Sequence, residues 1–162
     1  MLVLAGRAAT PEEGSALLRE ALDSGRGLEK LREMIAAQGG DPAVCDDVTL
    51  LPQPAVIRRV AAGCTGYVKD MDTMALGLAA QAMGAGRVRK TDALDYSVGF
   101  ILPVRIGDRV EKDTELCTLY ARNEEEAAQA EAAIRGAISF SDTPVDRPPL
   151  CHAVVTRDGV TR

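Results

Sequence analysis

Tryptophan is missing from these 162 residues, and aromatic side chains of any kind make up only 3%. Single-stranded nucleic acid is held on stacked rings, so the chain offers it little. Basic charge is not in excess either. Nineteen Lys and Arg stand against 24 Asp and Glu, a net charge of −5 at pH 7, with a pI of about 5.0. Phosphate backbones and anionic membrane surfaces call for the opposite balance, which argues against both as partners. Histidine occurs once, as His152, which excludes any scheme built on a His pair. The four cysteines, Cys45, Cys64, Cys117 and Cys151, contain no CxxC spacing, and only Cys151 adjoins the histidine. They read as reduced, half-buried thiols of a cytosolic protein rather than as zinc ligands, and no metal is assigned to them. No stretch approaches the roughly 20 apolar residues of a membrane helix. The opening "MLVLAG" is too short for a signal core and lacks a basic flank. Five apolar residues stopped by Gly6 resemble the last turns of a buried helix, which points to a chain that is a piece of something longer.

What is present is a globular composition, 46% hydrophobic and 27% charged, long enough for one ordinary domain or two small ones. "TPEEGSALLREALDSG" predicts a helix with Thr10 as N-cap, Pro11 at N1 and Glu13 closing a capping box. Leu17, Leu18, Ala21 and Leu22 form its apolar stripe, and Gly25 ends it. A second helix, about Leu28 to Gln38, carries Leu28, Leu31 and Ile35 on one face and stops at Gly39-Gly40. "DPAVCDDVTLLPQP" has no periodicity and reads as a linker or irregular connection. "AVIRRVAAG" and "TGYVKDMD" read as strands separated by a glycine-bearing bend. Asp72 caps a third helix, stapled by Met71 and Leu76; Ala75, Leu78, Ala79 and Ala82, with Met74 and Met83 beside them, predict that it is largely buried. "VGFILPV" alternates through Val98, Phe100, Leu102 and Val104 as a strand. Asn123 caps a fourth helix with Glu126 at N3 and an inner face of Ala127, Ala130, Ile134 and Ala137. A last strand, about Cys151 to Thr156, precedes a frayed end.

Several stretches invite a chemical reading. The glycines of "GAGR", Gly84 to Arg87, follow a helix, whereas a phosphate cradle places them before one, so Gly84 is a C-cap. The acidic runs "CDD", "DALDY" and "NEEE" supply no cleft and no pair of unequal environments, and Glu124 to Glu126 sit where a helix N-terminus favours anions. Ser139 and Ser141 lack a GxSxG elbow. "GDRVEKDTELCTL", Gly107 to Leu119, reads as a tight hairpin of the kind found in hammerhead folds that carry biotin or lipoate on a lysine. Set against the carrier pattern "EAMKM", Ala121, Arg122 and Asn123 fall under the alanine, methionine and lysine. The nucleophilic amine is absent there, and Lys112 lies on the other arm, so the carrier function fails.

In chain order, "LVLAG", "EKLREMIAAQGGDP", "LLPQP", "GYVKDMDTMALGLAAQAMGAGRVRKTDALDYSVGF" and "IGDRVEKDTELCTLYA" resemble the C-terminal part of the pyrimidine-nucleoside phosphorylases, the thymidine phosphorylase family. The resemblance runs from Met1 to about Asp146. It implies a cytosolic homodimer that converts thymidine or uridine plus phosphate to free base and pentose 1-phosphate. It implies an α+β fold, a barrel-sandwich hybrid with flanking helices. Residues 1–40 then belong to the larger lobe, 41–54 to a linker, 55–156 to the C-terminal domain and 157–162 to a frayed tail. The family's phosphate, base and sugar residues lie in regions outside this chain, so the resemblance assigns no catalytic, cofactor-binding or metal residue here. Its implied partner is the remainder of the phosphorylase. Two positions depart from the family pattern: Tyr120 stands where many members have histidine, and Asp113 where the hairpin tip usually has glycine. "LYA" is also similar to AMP phosphorylase, a relative with the same domain. A free-standing binding or regulatory module with a hammerhead fold is the alternative from another class.

Overall fold

A computed structural model describes residues 1–161. The chain divides into two compact units, Met1–Pro52 and Gln53–Arg162. The first contains helix α1 (Pro11–Asp23) and helix α2 (Arg26–Ala37). Thr10 Oγ1 accepts from Glu13 N at 3.2 Å, while the Glu13 carboxylate accepts from Ala9 N at 2.7 Å. The capping box therefore closes one residue earlier than its pattern predicts. Met1 to Gly6 winds a single turn, with Ala5 N donating to Met1 O at 3.0 Å.

Residues 41–50 offer the sequence only an irregular connection, yet they are ordered by short side chains. Asp41 accepts from Ala43 N and Asp47 from Thr49 N, each at 2.9 Å, opening two 3-10 turns at Pro42–Cys45 and Val48–Leu50. The Arg32 guanidinium on α2 then grips both oxygens of Asp46, at 2.7 and 2.9 Å. That fork holds the Asp46 carboxyl below the usual carboxylate range. Apolar residues of α1 and α2, among them Leu18, Leu22 and Met34, remain exposed, and only Ala8 and Gly14 of this unit are buried.

The second unit is α+β, with small antiparallel sheets. Strands β1 (Val56–Ala61), β3 (Gly99–Ile101) and β5 (Glu115–Ala121) form one sheet in the order β1-β5-β3. Strands β2 (Gly66–Met71), β4 (Arg109–Val110) and β6 (Ile138–Ser141) form another, in the order β4-β2-β6. Helix α3 (Thr73–Ala80) follows β2, and helix α4 (Glu124–Ala137) lies between β5 and β6, packed on α3 and β5. A separate ribbon pairs β7 (Val154–Thr156) with β8 (Gly159–Thr161). This ribbon replaces the frayed end the sequence predicts; Arg162 lies outside the described residues. The core is built on Val60, Val68, Val110, Leu116, Leu119 and Ile134, all essentially closed to water.

The Gly107–Leu119 segment does turn sharply, with Thr114 N donating to Glu111 O at 2.9 Å. Its arms do not pair with each other. Strand β4 joins β2, whereas β5 joins β1 and β3, so the chain changes sheet across this turn. It changes sheet again between β1 and β2, and the two bends are tied: Ala62 N donates to Thr114 O at 2.8 Å and Gly63 N to Lys112 O at 2.9 Å. The inward phase of the hairpin is as its alternation predicts, since Val110, Leu116 and Leu119 are buried. Helix α3 departs from its reading. Leu76, Ala79 and Met83 face the core, but Met74 is 73% and Leu78 56% exposed. A helix apolar on every side reads as buried from sequence; here one side is open within this chain.

Candidate functional site

Most polar side chains of the second unit serve as local caps and ion pairs, and the most connected group lies at the C-terminal end of α3. The Asp72 carboxylate accepts from Ala75 N at 2.9 Å and starts the helix, which ends in a π-helical turn, Gln81–Ala85. Gly84 breaks that turn with φ of 102°. A Cβ there would adopt a conformation that L side chains rarely reach, facing the Arg122 guanidinium at 3.6 Å. The following loop is closed where Asp95 N donates to Gly84 O at 3.0 Å. Asp95 Oδ1 in turn accepts from the Ser97 hydroxyl at 2.6 Å and from Ser97 N at 2.9 Å. These two donors, with Arg122 nearby, hold the Asp95 carboxyl below its usual range.

Arg122, at the end of β5, donates to Glu126 at 2.9 Å and lies 3.9 Å from Asp95. It joins the first turn of α4 to the loop after α3. A second network fixes the other side of α4: Arg58 on β1 reaches Glu124 and, at 3.4 Å, Glu131, which also holds Arg135 at 3.0 Å. Both carboxylate groups are tied to permanent cations. Such an arrangement holds elements together.

The residues singled out from sequence are scattered. Asn123 Oδ1 accepts from Glu126 N at 2.9 Å, so the position that aligns with the carrier lysine is a helix cap. Lys112 lies in the β4–β5 turn, its carbonyl taken by Gly63 N. Ser139 and Ser141 fall on β6, a strand whose short "ISFS" run the sequence reading passed over. The four thiols are free. Cys117 is buried, Cys45 and Cys64 are partly covered, and Cys151 is exposed. Burial pushes the Cys117 thiol up to about 11, away from nucleophilic use. Among the described residues no three His, Cys, Asp or Glu side chains gather as a metal site. None of their helices is long and apolar enough to cross a membrane. The Asp95–Arg122 pair was missed, because nothing local in "DALDY" or "LYARN" announces a partner so far along the chain.

Two antiparallel sheets that trade strands through tied bends, braced by a capped helix, define a small α+β domain held by packing and surface ion pairs. Comparison with known families finds one match within it. Residues 67–141 match the family described as pyrimidine nucleoside phosphorylase C-terminal domain. Two curated pyrimidine-nucleoside phosphorylases of Staphylococcus aureus, from strain bovine RF122 / ET3-1 and strain USA300, are each 38% identical to it over 156 residues. The similarity covers 96% of this chain but only 36% of either relative.

Proposed function

We propose that this chain is the C-terminal accessory part of a nucleoside phosphorylase acting on thymidine or uridine. In that reaction a phosphate oxygen bonds to the anomeric carbon of the sugar as the bond to the base nitrogen breaks. The base leaves with a proton, and the other product is ribose or deoxyribose 1-phosphate. The residues that bind phosphate and nucleoside belong to the preceding lobe, and this chain, alone, is inactive. Its work is to cover that lobe and help set the closed geometry of the cleft.

One observation carries the reading. Similarity to the phosphorylases extends across both compact units, including Met1–Pro52, which lies outside the matched C-terminal domain. That first unit buries only Ala8 and Gly14 and leaves Leu18, Leu22 and Met34 exposed. A helix pair with so little core is stable only against another surface. In this reading that surface is the larger lobe, to which residues 1–40 belong. The second unit is then a barrel-sandwich hybrid of the hammerhead type, a view supported by the paired sheet changes at residues 62–63 and 112–114. The assembled enzyme is a cytoplasmic homodimer.

The test is a graft. Residues 1–161 replace the matching segment of the Staphylococcus aureus pyrimidine-nucleoside phosphorylase, and release of base from thymidine and uridine is followed with phosphate present. Retained turnover by the graft, with none from the isolated chain, is expected. A folded graft that has lost turnover refutes the reading, as does phosphorolysis by this chain alone that disappears when the chain is mutated.

A further inference from the structure

A groove of about 510 Å³ opens in the second unit between the end of β2, the turn at Arg105–Asp108 and the segment that follows Val145. It is lined by the half-buried Met71 and Ile106 and bordered by the exposed Pro148, Pro149 and Leu150. The segment forming that border lies close on the turn. A Cβ on Gly107, at φ of 90°, would stand 2.9 Å from Val145 O and 3.2 Å from Arg147 N. Only glycine lets the two strands of chain approach this far, so the groove is built by that contact. Asp108 clips the segment in place through Arg147 and accepts from Arg105 N at 2.8 Å.

Two guanidinium groups border the groove, with His152 beside them. They are anchored differently. Arg147 is paired with Asp108. Arg105 donates from Nη1 to two backbone carbonyls, Leu102 O at 2.7 Å and Val104 O at 2.9 Å. Carbonyls fix the guanidinium plane without neutralising it. Among the described residues no carboxylate pairs with the Arg105 side chain, and its Nε and Nη2 have no protein acceptor. A held, uncompensated guanidinium beside an apolar lining spends little ordering entropy on binding and presents a fork suited to carboxylate or phosphate.

We infer that this groove binds a small anion carrying a flat apolar body, the anionic group on Arg105 and the body against Met71, Ile106 and the Pro148–Leu150 border. The proposal rests on this groove alone and does not depend on the activity proposed above. A concave apolar surface of this size with a few fixed polar groups is the usual starting form of a small-ligand site.

Phenyl phosphate joins the two required features in one probe, with inorganic phosphate and phenol as separate arms. Each is titrated into the 162-residue chain by calorimetry and by proton–nitrogen NMR. Phenyl phosphate is expected to saturate one site with a Kd of about 1 mM or tighter. Its shifts should centre on Met71, Thr73 and Ile106, and either fragment should bind at least about tenfold more weakly. Arg105→Gln should weaken phenyl phosphate about tenfold, measured well below its own thermal midpoint, which the release of the Leu102 and Val104 carbonyls should lower. Arg105→Lys, which keeps the charge but loses the fork, should fall between. Failure to saturate, inorganic phosphate binding as well as phenyl phosphate, or shifts centred elsewhere would each overturn the proposal. So would full affinity in Arg105→Gln. The mapping on the unaltered chain decides the matter even if the variants fold poorly.

Discussion

Val60 of β1 and Cys117 of β5 stand opposite each other in the ladder, with 1% and 0% of their surfaces open to water. The thiol is therefore packed as a small hydrophobe in the centre of its sheet, and the consequence is a pH dependence. Burial raises it from the ordinary 9.0 to about 11. Between those values the unfolded chain has released the proton and the folded chain has kept it. The folded state binds more protons, so stability falls as pH rises through this window and is unaffected below it. A shift of this size corresponds to about 3 kcal/mol. Urea unfolding at pH 8 and pH 11 should show the unaltered chain losing that much more than Cys117→Ala. A thiol reagent should meet Cys151 quickly and Cys117 only on unfolding. Equal alkaline losses in the two proteins would show that Cys117 is not the group responsible.

Asp95 gives a dependence at the other end of the scale. Its folded carboxyl is held low by the Ser97 hydroxyl and amide and by Arg122. Its contribution is fully present above the unfolded carboxylate range, near pH 4, and is lost as pH falls through the lower folded value. Unfolding measured from pH 6 down to pH 3 should be steeper for the unaltered chain than for Asp95→Asn. If both fall with one slope, the loop after α3 draws nothing from that carboxylate.

Asn123 is committed to capping α4, and two outcomes follow. Asn123→Ala should cost about 1 kcal/mol, and Asn123→Gly only a few tenths. Expressed with active biotin and lipoate ligases, the chain should keep the mass of its bare polypeptide. An added mass mapping to Lys112 or any other lysine would restore the carrier reading.

Limited proteolysis should find the division between the units. The Asp41 and Asp47 caps and the Arg32–Asp46 fork protect residues 41–50, so the first cuts belong in 51–55, where no regular element forms. A resistant fragment starting near Val56 is expected. First cuts in the turn at Lys112, or resistance of the whole chain as one body, would rule this out.

Helix α4 was legible in its start and its inner face. Asn123 and Glu126 mark its start, and the predicted inner face of Ala127, Ala130, Ile134 and Ala137 is the buried one. Local rules suffice there because capping and helical spacing act within a few residues. The strand at Val98–Val104 was right in phase and wrong in length. Only Gly99–Ile101 pairs, since Pro103 has no N–H to give a ladder. The β4–β5 segment looked like a hairpin because its turn and alternation are local, while the partner of each arm is chosen by strands far along the chain. The turns at Asp41 and Asp47 were readable in principle: an Asp two residues before a free amide is an Asx signal, lost among the prolines. At the candidate site, Gly84 was visible as a cap. The pairing of Asp95 with Arg122 was not, because only the closed loop brings them together.

The tied bends at Ala62–Gly63 and Lys112–Thr114 also govern how the domain forms. Each sheet draws strands from both sides of these bends, so neither can be completed while the other is missing. Early collapse of one sheet would leave the other's edges open, and the rewarding contacts join segments distant in the chain. Such a topology has few local shortcuts and a high loop-closure cost before the first stable contact. The domain should fold slowly and in one step, with no half that survives alone. A gene fusion or split placed between β2 and β4 should therefore yield insoluble halves, whereas α4, nucleated by its own cap, should be the earliest element to form.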